Sequence, residues 1–237
     1  MGTIELKKNT AYWESDIVDL IKNANPSISD IKVKWLLFEL EKNQSITRVG
    51  TKKYVTDGNR YSYSLSESGK KVDSFLSTAF PDVKYVIWES VQLNEWMNFL
   101  LAKNIIFVEA ESDLKEYIFS FLQEKFGRTN AVLLDPDIVI LSRYIDNCPI
   151  VVRSLFSRSP QSRKTHQIVL EKLVIDILSD KLLSNLIGTN DRFSMACEIA
   201  HGYSLNTTTA ISYAKRRISE AELPQVLEIF HDWSTTR

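Results

Sequence analysis

The sequence predicts an α+β fold in two parts, an N-terminal winged helix-turn-helix and an α/β mixed-sheet domain with a C-terminal helical part. Three observations carry this. Residues 27–56, SISDIKVKWLLFELEKNQSITRVGTKKYVT, run in the order helix, strand, basic turn, strand. From Val83 onward, short apolar strands alternate with helical segments, the pattern of an α/β layer. From Gln167 to the end, apolar residues recur at helical spacing.

A first helix is expected from about Glu14 to Asn23, presenting Ile17, Leu20 and Ile21, and Asn25-Pro26 turns the chain out of it. The next helix, Asp30–Lys42, starts after Ser29, whose hydroxyl can cap free backbone N–H groups. It stops at Asn43, a residue that tolerates a left-handed helix end. Val33, Leu36, Leu37 and Leu40 form one apolar stripe, and Ile31, Trp35 and Phe38 a second one on the other side, so this helix is expected to be buried on two faces. Ile46–Val49 favours a strand, Gly50-Thr51-Lys52-Lys53 a turn, and Tyr54–Thr56 a returning strand before Asp57-Gly58. A further short strand is expected at Arg60–Leu65 and a helix at about Ser68–Phe80, ended by Pro81. The domain boundary falls there, giving a DNA-binding unit at 1–80 and a second domain at 82–237.

In the second domain the pattern predicts a strand at Val83–Trp88, a helix at Val91–Leu101, a strand at Ile105–Glu109 and a helix at Asp113–Phe126. Extended stretches follow at Ala131–Leu134, Ile138–Leu141 and Ile150–Val152. After the loop Ser157–Thr165, helices are expected at about Gln167–Leu178, Leu182–Leu186, Arg192–His201, Thr207–Ile218 and Leu223–Trp233.

The 237 residues carry a net charge of −1, which excludes a blanket polyanion binder; any nucleic-acid contact must come from a local patch. Residues 1–80 carry a net +2 and the remainder −3, a mild asymmetry. In a winged helix the second helix of the motif enters the major groove and the ribbon touches phosphate. That makes Ser27, Ser29, Lys32, Lys34, Arg48, Lys52 and Lys53 the candidate DNA-binding residues. A scaffold serving protein contacts is the competing reading, since Asp30 and Glu41 weaken the field around Lys34. Cys148 and Cys197 are too far apart in sequence for a metal knuckle and are expected to be reduced. With no apolar leader and no long apolar run, the chain is expected in the cytoplasm, without membrane contact.

Catalysis is not expected, nor any cofactor or metal. Asp135-Pro136-Asp137 has the spacing of a metal-binding carboxylate pair but lacks the Gly-Ser loop of a nucleotidyltransferase, and its proline suits a turn. Glu109-Ala110-Glu111 has glutamate where a nuclease needs lysine, so these glutamates are expected to end a strand and start a helix. The SESGKK segment lacks phosphate-loop spacing, and His166, His201 and His231 stand apart from any hydrolase or metalloprotease motif.

The wing, the Phe80-Pro81 junction, YVIWESVQLNEWM at 85–97, NIIFVEAES at 104–112 and LEKLVIDIL at 170–178 together resemble the AbiEi-type antitoxins of bacterial abortive-infection systems. The resemblance implies an N-terminal winged helix that binds double-stranded DNA at its own promoter, and a C-terminal domain that neutralises a co-encoded nucleotidyltransferase-like toxin. Direct contact with the toxin stays open, as does self-association on DNA. One departure is Lys52-Lys53, where similar sequences carry an Arg-Gly pair. The basic segment Arg153–His166 is expected to be a solvated loop or an electrostatic contact with phosphate or toxin through Arg158, Arg163 and Lys164.

Overall fold

The computed structural model describes residue 6 and residues 11–43, 45–56, 61–97, 99–162 and 164–235, with the side chains at 11, 49, 50, 201 and 231–235 left aside. The chain is a mixed α+β protein with two sheets. Its contacts divide it into two units, one made of residues 1–61 and 199–237, the other of residues 62–198. The expected boundary at Phe80-Pro81 therefore meets a different grouping.

The first unit opens with β1 (Ala11–Trp13), which leads directly into α1 (Glu14–Ala24) and α2 (Asp30–Lys42). A ribbon of β2 (Ile46–Gly50) and β3 (Lys53–Thr56) follows, and all pairing is antiparallel in the order β1-β3-β2. Ser29 caps α2 by accepting a hydrogen bond from the Lys32 amide at 3.4 Å, while Asn43 ends it at φ −78°, outside the left-handed region. The left-handed residue is Lys52 in the ribbon turn, at φ 56°. Ile17, Ile21, Val33, Leu37, Ile46 and Tyr54 form the unit's core. Each such aliphatic side chain contributes roughly 1.5–3 kcal/mol when fully buried. α9 (Thr207–Arg217) packs on β2, and α10 (Leu223–Thr235) packs on α9.

The second unit is built on a four-stranded sheet in the order β4-β5-β7-β6, with β4 (Tyr85–Glu89), β5 (Ile106–Ala110), β6 (Val132–Leu134) and β7 (Ile150–Ser154). β4 and β5 are antiparallel; β5–β7 and β7–β6 are parallel. β5 is buried along its whole length and reads as a nearly continuous apolar run, as a strand covered on both faces must. α3 (Glu67–Ala79) packs on β4, with Val72 and Leu76 in one cluster with Tyr85 and Ile87, and α4 (Lys115–Phe126) adds Ile118 and Leu122 to the same core. The outer edge of β4 is covered by the chain entering α6: Ile87 N donates to His166 O at 2.8 Å, and Ile168 N donates to Ile87 O at 3.2 Å. α5 (Ile138–Tyr144), α6 (Leu170–Ser179), α7 (Lys181–Leu186) and α8 (Thr189–Gly202) complete the order, the last turn of α8 grouping with the first unit.

Several expectations are corrected here. Ile138–Leu141 is helical, not extended, because Asp137 caps it by accepting a hydrogen bond from the Ile140 amide at 2.7 Å. Val91–Leu101 is a short 3-10 helix over Ser90–Trp96 followed by irregular chain. Residues 61–65 form no strand, and position 60 lies outside the described residues. Ile31, Trp35 and Phe38 are exposed rather than buried. No helix among the described residues is long and apolar enough to cross a membrane.

Candidate functional site

α2 is the element with the most unusual surface. At about 100° per residue, Ile31, Trp35 and Phe38 fall within roughly 60° of arc, directly away from the buried Val33 and Leu37. Their exposures are 83%, 53% and 58%. The helix core needs only the Val33–Leu37 side, so the second stripe is left facing outward. Charged residues border it: Lys32 and Glu39 on one flank, Lys34 and Glu41 on the other. The nearer ends are partly paired within the unit, Asp30 with Lys22 at 2.9 Å and Glu39 with Lys42 at 3.6 Å. The Lys22 partner holds the Asp30 carboxyl below its ordinary range.

The residues expected to meet DNA are distributed over this helix and the ribbon. Ser27 is exposed and donates to the Asn25 side chain at 3.2 Å, and Ser29 is occupied by capping. Lys32 and Lys34 are exposed on opposite flanks of the apolar stripe. Arg48 lies 3.9 Å from Glu14 and over the Tyr54 ring, at 5.6 Å. Lys52 is exposed at the ribbon tip, and Lys53 is half-buried over the Trp13 ring at 5.8 Å. The tip itself is tied down: Glu14 N donates to Lys52 O at 2.8 Å, and the Thr51 and Thr208 hydroxyls share a hydrogen bond at 3.4 Å.

Within the basic segment, Arg153 alone among the described cations departs from the expected solvated loop or electrostatic contact. Arg153 belongs to β7 and is partly buried, its guanidinium 4.8 Å from the Phe107 ring centre and donating to Glu109 Oε1 at 2.6 Å and to Asp180 Oδ2 at 2.5 Å. Arg158 is exposed with φ 55°, Lys164 is exposed, and Arg163 lies outside the described residues. Lys164 lines an open depression of 510 Å³ together with Lys84 and His166. The His166 ring stacks on Tyr85, centroids 3.9 Å apart.

Sequence reasoning also missed the centre of the second unit. Glu109 does not end its strand. It lies inside β5, only 2% exposed, accepting hydrogen bonds from Trp88 Nε1 at 3.0 Å and from Arg153, and pairing with Lys172 Nζ at 2.6 Å. Lys172 in turn pairs with Asp176 one turn along α6, and Asp180 caps α7 through the Leu182 and Leu183 amides. Burial works against the Glu109 charge, but the Lys172 and Arg153 charges outweigh it and hold the carboxyl down to about 2. For Lys172 and Arg153, burial likewise opposes the charge, yet facing carboxylates win and raise both. Both Glu109 oxygens are thus committed to cations. Among the described residues, no group of three or more His, Cys, Asp or Glu side chains could hold a metal ion. The available signal was a lone charge in each of two apolar runs, IIFVEA and IVVRS, and the Lys172 and Asp176 pair in LEKLVIDIL, whose signs match only once the runs are stacked.

A second carboxylate explains the SESGKK segment. Glu89, fully buried, accepts hydrogen bonds from Ser66 N at 2.7 Å, Ser66 Oγ at 2.6 Å, Asn104 Nδ2 at 2.7 Å and Tyr63 OH at 3.1 Å. It occupies the N-terminus of α3, the place where a helix favours an anion. Gly69 allows this close approach, because a Cβ would stand 3.0 Å from the Glu89 carboxyl carbon. Burial and the neighbouring Glu89 push the Tyr63 phenol up. Asp135, in the left-handed region at φ 41°, pairs with Lys115, while Asp137 caps α5, so the D-P-D segment is a turn with its own partners.

Residues 32–232 match the model of a family of unknown function, DUF6577. No curated protein and no solved structure matches the chain.

Proposed function

We propose, from the premise that this chain belongs to the DUF6577 family of unknown function, that it is a winged-helix regulator of the antitoxin type that acts by macromolecular contact and turns its second helix toward protein. The element order β1-α1-α2-β2-β3 and the sheet order β1-β3-β2 support the winged-helix reading. The observation that carries the choice of partner is the exposed stripe of Ile31, Trp35 and Phe38. A helix that reads base edges presents Arg, Lys, Asn or Gln at its centre, whereas an outward apolar stripe on a helix is what a protein groove accepts. The resemblance to AbiEi-type antitoxins supplies the partner class, a co-encoded nucleotidyltransferase-like toxin. Co-expression with the product of the neighbouring reading frame tests this. Trp35→Ala with Phe38→Ala should remove protection while leaving duplex affinity unchanged, and full protection by the double variant sinks the reading.

A second reading, autorepression at the chain's own promoter, is favoured by Lys52, an exposed cation at the ribbon tip beside Lys53. Mobility shifts check it. Lys52→Ala with Lys53→Ala should weaken binding on every sequence and lower the salt slope by up to about two. Absence of any preference for the promoter over random duplex ends it.

A further inference from the structure

We infer that in the toxin-free chain the α2 stripe is a self-association seam, paired antiparallel with α2 of a second copy, for which the toxin competes; the inference rests on the reading above that α2 faces protein. Ile31, Trp35 and Phe38 are spaced four and three residues apart, the spacing of alternating core positions in a helix–helix seam. Lys42 continues the same line, so its aliphatic stem can cover Ile31 of the other copy while its ammonium stays in water. Trp35 of each copy then packs on Phe38 of the other.

The flanks select this occupant. Each flank carries a lysine near the N-terminal end of the stripe and a glutamate seven residues later: Lys32 and Glu39 on one side, Lys34 and Glu41 on the other. Turning a second copy end over end brings each lysine opposite the matching glutamate, giving four attractive pairs, while Asp30 on the Lys34–Glu41 flank keeps its own partner, Lys22, at 2.9 Å. A chain whose flanks complement themselves only when reversed is matched to a two-fold partner identical to itself. Two such faces, each of three large apolar side chains, bury roughly 1,000 Å² in total, the size of weak, reversible interfaces.

Sedimentation velocity on the full chain tests the seam. The chain should dimerise with micromolar affinity. Lys34→Glu alone and Glu41→Lys alone should each weaken the dimer about tenfold, since each places two like-charge contacts in it. Both positions are exposed, so both variants should fold, and circular dichroism verifies that. An equimolar mixture of the two variants should recover the original affinity, whereas Lys34→Glu mixed with Glu39→Lys should not. A chain that stays monomeric at roughly 100 µM, well above the micromolar affinity expected here, overturns the seam. So does a dimer indifferent to both substitutions, or a mixture that fails to recover. A monomeric chain whose Trp35→Ala, Phe38→Ala form has still lost protection removes the second copy and leaves the protein-contact reading standing.

Discussion

Glu109 is the residue on which the second unit turns. Glu109→Gln keeps its shape but leaves Lys172, almost completely buried, and Arg153, partly buried, facing each other with too little negative charge. Removing one partner of a buried ion pair costs about 3–5 kcal/mol, so urea unfolding should report a loss of that order. The same carboxylate sets the acid limit. Because its folded value lies at about 2 against an ordinary 4.5, the unfolded chain takes up the proton first. Its contribution is complete above about 4.5 and is lost as pH falls toward 2, which an acid titration of stability should show. Gly69→Ala belongs to the same scale. The added methyl must displace a carboxylate held by four donors, and a destabilisation of about 1–3 kcal/mol is expected in thermal unfolding. None of these partners was legible from one sequence, because a buried charge looks like a surface charge until its counter-charge is placed, and Glu109, Arg153 and Lys172 are 44 and 19 residues apart in turn.

Among the elements, the ribbon and α2 show what local sequence can and cannot decide. The ribbon forms the expected strand, turn and strand, with Lys52 as its left-handed residue. A left-handed non-glycine residue costs roughly 1 kcal/mol, so Lys52→Gly should stabilise the chain by up to that amount in thermal unfolding, offset in part by greater freedom of the unfolded chain. The start of α2 was set by Ser29, and both apolar stripes were visible in the periodicity. Which stripe faces the core was not visible, because an apolar stripe shows only that something should cover it, not whether the cover belongs to the same chain. Ile138–Leu141 failed for another reason. A short β-branched run is ambiguous between strand and helix, and the Asp137 cap decided it.

For the whole molecule, the grouping of contacts changes which fragments should stand alone. A cut at Pro81 removes α3, taking Val72 and Leu76 out of the cluster that holds Tyr85 and Ile87, and leaves α9 and α10 without the sheet on which α9 packs. A fragment of residues 62–202 should therefore unfold cooperatively in circular dichroism, while one of residues 82–237 should melt broadly or at much lower temperature. Equal cooperativity in the two would contradict the grouping. The expected boundary follows a proline, a local signal, whereas the grouping of contacts follows packing between segments far apart in sequence.

The sequence by itself determined the α+β class, the order of most helices and strands, the cap at Ser29, and the mixed character of the second sheet, because these depend on periodicity and short-range hydrogen bonding. It also placed lysines at the ribbon tip and on α2, where they stand exposed or beside an aromatic ring. Only the tertiary structure decided that Arg153 leaves the basic loop for the core, that Glu89 fills the N-terminus of α3, that the C-terminal helices join the N-terminal sheet, and that Ile31, Trp35 and Phe38 face outward. The physical reason is common to all four. Each depends on which distant surface comes to lie opposite a residue, and complementarity of charge or shape between distant segments leaves no trace in local spacing.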